Sequence, residues 1–327
     1  MTALNRIPLA SRRHSRRPGE RPVTSRVTRL FAVAMTGFLA LTACGGGSDG
    51  GDTANATGGE AAPAATVWTT ADPALNQELK AAGFDGDLVG ATDLTIGLPW
   101  AVDEGGKMTG LDIDLGVALG EVLGTKIEMQ NTSFDSLIPG LAAGRYDLTV
   151  SAMLDNKKRQ EQVDFVDFII DASSFAVPAD SQITDLSLET SCGRTIGVVR
   201  GSAEEMYLSA RSEECVKEGK PKVDLQVFQQ LQQAMLAVTS GRIEALCGDG
   251  LQNSHLAAQP GAKIKQVGEP INEAPVGMAL PKNSKLVPVL QKALQKLMDD
   301  GVYLKILQKY GVESGAMTTA TVNDARS

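Results

Sequence analysis

The strongest constraint on the fold is an internal repetition of short β-prone runs. The first half of the chain carries Leu94-Thr95-Ile96-Gly97, then Ile127-Glu128-Met129-Gln130, then Gly144-Arg145-Tyr146-Asp147-Leu148-Thr149-Val150. The second half carries Arg194-Thr195-Ile196-Gly197, Val223-Asp224-Leu225-Gln226-Val227 and Gly241-Arg242-Ile243-Glu244-Ala245-Leu246-Cys247. Corresponding runs lie about 100 residues apart. Helical patterns separate them. Leu111, Leu115, Leu119 and Val122 share one face, with Gly124 as the expected stop, and Leu231, Met235 and Val238 do the same before Gly241. Pro139 is expected to break or kink the segment 134–143. Strands alternating with helices imply mostly parallel sheets flanked by helices. Two such units imply an α/β protein of two lobes. Ligands in open α/β sheets bind at the carboxyl ends of strands, so polar binding groups are expected in 151–159 and 248–250.

The N-terminal 43 residues read as a targeting segment. Eight arginines face one acid, Glu20, and an apolar stretch from Leu30 to Ala43 follows. At roughly 14 residues it is shorter than the ~20 that a spanning helix needs. It ends in Leu41-Thr42-Ala43-Cys44, which resembles the bacterial lipobox. That resemblance implies a diacylglyceryl group on Cys44 and cleavage before it. The alternative is an ordinary signal peptide with an incidental cysteine. Beyond Cys44, the segment 44–66 is mostly Gly, Ala, Thr, Ser, Asp and Glu with almost no large apolar side chain, a composition suited to a flexible tether. The expected location is the outer face of the cytoplasmic membrane.

The chain has 31 basic and 39 acidic residues. Without the leader's eight arginines and one acid, 23 and 38 remain, a net charge of −15. This argues against a nucleic-acid partner. Of the four cysteines, Cys44 is the anchor. Cys192 and Cys215 are expected to pair in an exported domain. Cys247, in an apolar run, reads as a buried free thiol, although its pairing with either of the other two stays open. No histidine cluster suggests zinc, and no cofactor or metal is expected.

Several blocks then resemble one family. Gly110-Leu111-Asp112-Ile113-Asp114-Leu115 is similar to the Gly-Phe-Asp-x-Asp-Leu signature of the family 3 extracellular solute-binding proteins, which serve polar amino-acid importers. Phe134 to Leu141, Gly144 to Asp147, Met153 to Arg159, Val163 to Phe168, Cys192 to Ser202, Gly241 to Asp249 and Asp300 to Gly311 follow in family order. The resemblance implies a periplasmic-binding-protein-like fold, with lobe 1 in 67–175 plus 279–327 and lobe 2 in 176–278. Two crossing strands near Phe175-Ala176-Val177 and Val276-Gly277-Met278 would form the hinge. It also implies a small polar ligand, amino acid-like, captured by lobe closure and passed to an ABC transporter permease.

The same resemblance assigns ligand-binding residues. Arg159 matches the arginine that holds the ligand carboxylate, and a planar guanidinium suits that task. Its alternative is a solvated basic run with Lys157 and Lys158. Asp249 matches the aspartate that neutralises the ammonium, and could equally cap a helix. Ser202 and Ala203 match the loop that binds the carboxylate through a hydroxyl and backbone N–H groups, with a simple N-cap as the alternative. Ser151 is a candidate pocket hydroxyl. Phe134 is either a ligand contact or core. Two departures stand out. Leu154 and Asn156 replace the usual Ser or Thr and Thr. The loop from Gly97 to Gly110 is short and lacks clear counterparts of the family's Asp and aromatic, so Trp100 is either a substitute clamp or a gap filler.

Two other readings compete with a transport binder. One is a ligand-sensing or envelope interaction lipoprotein of the same fold. The other is a carboxylate-dependent, dehydratase-like enzyme using Asp249 or Glu204. His255 stands alone beyond the leader, so no histidine-based catalytic arrangement supports an enzyme.

Overall fold

The computed structural model describes residues 66–326. The targeting segment, Cys44 and the tether lie outside these residues. Asp72 caps the first helix, α1 (Pro73–Ala81), accepting from the Ala74 and Leu75 N–H groups. Strand β1 (Leu88–Thr92) follows, then a hairpin of β2 (Val102–Glu104) and β3 (Lys107–Thr109). Helix α2 (Leu111–Leu123) buries its leucine face and stops at Gly124, whose φ of 65° favours glycine. Strand β4 (Ile127–Asn131) leads to a 3-10 turn, Phe134–Ser136, and helix α3 (Leu137–Ala142). Pro139 does not break this helix. It sits in the first turn, where a backbone N–H has no intrahelical partner to lose. Strand β5 (Leu148–Leu154), the single turn α4 (Lys157–Gln160) and the long strand β6 (Val163–Pro178) complete this part.

The second lobe repeats the pattern with β7 (Thr195–Val199), α5 (Ala203–Lys217), β8 (Asp224–Phe228), α6 (Leu231–Thr239), β9 (Ala245–Asp249) and α7 (Gly250–Ala257). The long strand β10 (Ile264–Pro281) returns to the first lobe, followed by α8 (Leu286–Asp299), α9 (Val302–Tyr310) and β11 (Ala316–Val322). The strand order is β4-β1-β5-β10-β6-β9-β7-β8, with β11 also on β6. The repetition is explicit here. β1 pairs in parallel with β4 and β5, as β7 does with β8 and β9. Each trio then meets one crossing strand antiparallel.

One strand differs from the sequence reading. The first strand is Leu88–Thr92, not the run beginning at Leu94. The physical reason is Asp93. Its Oδ1 accepts from the Thr95 N–H (2.8 Å) and hydroxyl (2.7 Å), which turns the chain out of the sheet. The true counterpart of Gly197 is therefore Gly90. A Cβ at either would fall 2.5 Å from a packed side-chain atom, Met129 Sδ or Ile243 Cδ1. The connection before Gly110 thus starts at Asp93 and is longer than Gly97 suggested.

The apolar cores divide along β6 and β10. Phe168, Ile169, Ala274 and Val276 pack with Leu115, Leu119 and Leu290 in one cluster. Phe175, Val177, Val267 and Ile271 pack with Ile196, Val198 and Leu208 in another. The change of allegiance falls between Ile169 and Phe175 on β6 and between Ile271 and Ala274 on β10. There the β6–β10 register shifts and Asn272 adopts a φ of 51°. Cys192 and Cys215 form a disulfide with Cα atoms 5.8 Å apart, and Cys247 is free and buried. Closing a loop of this length stabilises the second lobe by about 3 kcal/mol in the chain-entropy account.

Candidate ligand-binding cleft

The carboxyl ends of β1, β5, β7 and β9 converge on one cavity of about 70 Å³. One water needs roughly 10–15 Å³ on this measure. The space suits a small solute. The first lobe supplies Asp93, Thr95, Ile96, Phe134, Ala152, Leu154 and Arg159. The second supplies Val199, the α5 start at Ser202 to Glu204, Leu231, and Cys247 to Asp249 with Gln252.

Arg159 is buried, with 5% of its surface exposed. Asn156 caps α4 by accepting from the Arg159 N–H at 2.9 Å, which fixes where the side chain starts. The guanidinium then donates from Nη1 to the Leu154 carbonyl (2.6 Å) and from Nη2 to the Gly201 carbonyl (3.0 Å). Its Cζ lies 5.6 Å from the centroid of Phe134. So the basic run does not behave as one unit: Lys157 and Lys158 are exposed while Arg159 turns inward. Leu154 serves Arg159 through its backbone, a use that its side chain does not reveal. Burial pulls the Arg159 pKa down, and Glu204 opposes this.

On the facing lobe, Asp249 ends β9 and caps α7, accepting from the Gln252 N–H at 2.7 Å. The cap and the cavity wall are thus the same residue. Behind it stand two buried acids that sequence reasoning did not single out. Asp171, on β6, accepts from the Ala172 and Leu251 N–H groups and lies within hydrogen-bond reach of Asp249. Asp112, in the first turn of α2, is fully buried and neither oxygen has a hydrogen-bond partner of standard geometry. Burial, reinforced by the Asp249 charge, pushes the Asp112 carboxyl up to about 8. Burial raises Asp171 and Asp249 as well.

Ser202 is the N-cap of α5, its Oγ accepting from the Glu205 N–H at 3.2 Å. Glu205 in turn accepts from the Gly201 N–H. Ser202 and Ala203 both line the cavity. Ser151 and Trp100 do not. Ser151 Oγ faces away, accepting from the Asp93 N–H at 3.0 Å. Trp100 is fully buried beneath the loop. Its indole N–H lacks a well-formed partner, yet helps to stabilise the Asp249 carboxylate. Gly110 makes room for this arrangement: its φ is 129°, and a Cβ there would lie 2.1 Å from the Trp100 carbonyl oxygen.

The lobes touch across the cleft. Besides Arg159 to Gly201, Gln252 Nε2 donates to the Ile96 carbonyl at 2.5 Å. Ala203 packs into the first lobe's core. Asp93, Glu204 and Gln252 are cavity residues that the resemblance did not assign. Asp93 was recoverable in principle, because it directly follows the carboxyl end of β1, where ligands bind in open α/β sheets.

Comparison with known proteins fits this geometry. The family model for bacterial extracellular solute-binding proteins, family 3, matches residues 89–313. The arginine-binding protein ArgT of Corynebacterium glutamicum is 32% identical over 223 residues, covering 68% of this chain and 73% of that protein. The lysine/arginine/ornithine-binding periplasmic protein of Escherichia coli is 28% identical over 227 residues, covering 67% and 85%. Among solved structures, an ancestral arginine-binding protein bound to arginine superposes with a TM-score of 0.62 at 32% identity, covering 69% of this chain and 98% of that one. With the two-lobed sheet, the cleft and these matches together, the chain belongs to the bacterial extracellular solute-binding proteins, family 3.

Proposed function

We propose that the cleft captures an amino acid by its two charged ends, with Arg159 on the carboxylate and Asp249 on the ammonium, and that an ABC importer receives it. One observation carries the reading: a buried guanidinium and a half-buried carboxylate from opposite lobes line one small cavity. A ligand held at both ends touches both lobes, so it stabilises the closed form; a ligand touching one lobe would shift nothing. Lobe 1 would comprise roughly 67–170 with 274–326, and lobe 2 the residues between. Ser202 and Ala203 would add donors at the α5 N-terminus. Phe134 would support Arg159 from the cavity wall, where it also meets the ligand, and Trp100 and Ser151 would act from behind the wall. Export and anchoring through a lipidated Cys44 would hold the protein beside its permease. The relatives' printed ligands, arginine, lysine and ornithine, indicate where to begin.

The test is calorimetry on the exported chain with Cys44→Ser, against amino acids, the matching amines and the matching acids. The expected result is micromolar or tighter binding that needs both charged ends, with the ligand recovered chemically unchanged. Equal binding of an amine lacking the carboxylate would reject the two-ended grip. Conversion of the ligand would favour the enzyme reading.

A further inference from the structure

We propose that Glu204 is the specificity-determining residue of this cleft, a carboxylate reserved for a second positive charge on the ligand. The cleft would then select amino acids with a cationic side chain over neutral ones of the same shape. The inference rests on the two-ended reading above.

The case begins with what Glu204 lacks. It lines the cavity, is 6% exposed, and has no cation within ion-pair distance among the described residues. Its Oε1 is held by the hydroxyl of Ser173, at 2.5 Å. Ser173 is itself fully buried on β6, so the carboxylate is fixed in place from the hinge side. Arg159 faces it electrostatically but is engaged elsewhere, on the Leu154 and Gly201 carbonyls and the Phe134 ring.

A helix N-terminus welcomes an acid in its first turn, and that offers a purely structural account of Glu204. The capping work, however, falls to its neighbours. Ser202 accepts from the Glu205 N–H, and Glu205 accepts from Gly201. Glu204 instead turns into the cavity.

Charge then decides between ligand classes. A neutral amino acid places its carboxylate on Arg159 and its ammonium on Asp249, and leaves Glu204 buried with the Ser173 hydroxyl but no cation. Asp93, the other acid on the wall, is already satisfied by Thr95 and by the Phe134 N–H. An unpaired buried carboxylate is strongly unfavourable, whereas a cationic side chain restores the balance.

The experiment compares arginine with citrulline, in which an uncharged ureido group replaces the guanidinium, by calorimetry on the same protein. Wild type is expected to prefer arginine by about 10- to 100-fold, the range for hydrogen bonds to charged groups. In Glu204→Gln the ratio should collapse to within about threefold of one. Ser173→Ala, which frees the carboxylate without removing it, should reduce the ratio to an intermediate value, and it decides the matter if Glu204→Gln does not fold. A ratio near one in wild type, or an unchanged ratio in both variants, overturns the role of Glu204 and leaves the amino-acid reading standing. Failure of folded wild type to bind either compound overturns both.

Discussion

Arg159→Ala is expected to weaken amino-acid binding by about 30- to 1,000-fold or more. Truncating one partner of a buried charge pair costs about 2–5 kcal/mol, because the other charge stays buried and unpaired. Here the other charge is the ligand carboxylate. A guanidinium has five N–H donors, and two are engaged, on Leu154 and Gly201. Three remain for the ligand. The two engaged donors matter too. They fix the fork before the ligand arrives, so little side-chain freedom is lost on binding. The bond to Gly201 crosses the cleft, and its loss also weakens closure. Arg159→Lys keeps the charge but loses the fork and the stacking on Phe134. It should fall between wild type and alanine. Titration calorimetry of the three proteins, each shown to be folded by circular dichroism, checks this. An alanine variant within about fivefold of wild type would mean that the carboxylate is held elsewhere, and the α5 N-terminus would become its site.

Much of this site was legible because it follows from topology. The carboxyl ends of β5 and β9 had to carry polar groups, and Arg159 and Asp249 lie there. What misled was local similarity. Thr195-Ile196-Gly197 is a strand, and Thr95-Ile96-Gly97 is a turn with the same letters. Asp93 makes the difference, and its effect comes from hydrogen bonds to Thr95, not from propensity. Misplacing β1 hid Asp93 and made the following loop look truncated. The acids behind the wall were hidden for another reason. Asp112 lies within the signature used to recognise the family, but on a helix surface pattern it reads as a solvated first-turn acid. Only packing shows that it is buried with its oxygens unpartnered. Asp171 sits in the middle of a long, largely buried strand, between the half-buried Ile170 and Ala172, and nothing in the sequence pairs it with Asp249, 78 positions on. Glu204 is ambiguous in the same way: the first turn of a helix accounts for an acid there without any ligand.

Those buried acids give the unliganded protein an unusual pH dependence. Its stability should fall, not rise, between pH 5 and pH 8. An ordinary aspartate loses its proton near pH 3.9 in the unfolded chain. In the folded protein burial holds the Asp112 proton to about 8, and raises Asp167 to about 7 and Asp155 to about 6. Asp171 and Asp249 shift in the same direction. Through this window the folded state binds more protons than the unfolded one, so each added pH unit costs about 1.4 kcal/mol for every such group still protonated. The cost stops growing once the folded carboxyl ionises. Carboxylates held low by partners, such as Asp164 beside Lys282, contribute the opposite slope, but only below the ordinary carboxyl range. A cationic ligand reverses the balance. An ammonium beside Asp249 favours the ionised carboxylate, so binding expels a proton and tightens with pH by up to about tenfold per unit while a proton is there to be released. Thermal unfolding from pH 5 to pH 8 should show the melting point of the free protein falling and the ligand-induced shift growing. Asp112→Asn should flatten the first trend in part, since Asp155, Asp167 and Asp171 keep their share. Calorimetry in two buffers of different ionisation enthalpy should detect proton release near pH 6, where burial still holds part of the Asp249 proton. A free protein that grows more stable from pH 5 to pH 8 would mean that these acids are solvated or paired in solution, and therefore ionised, so the cleft would hold more negative charge at neutral pH than their burial implies.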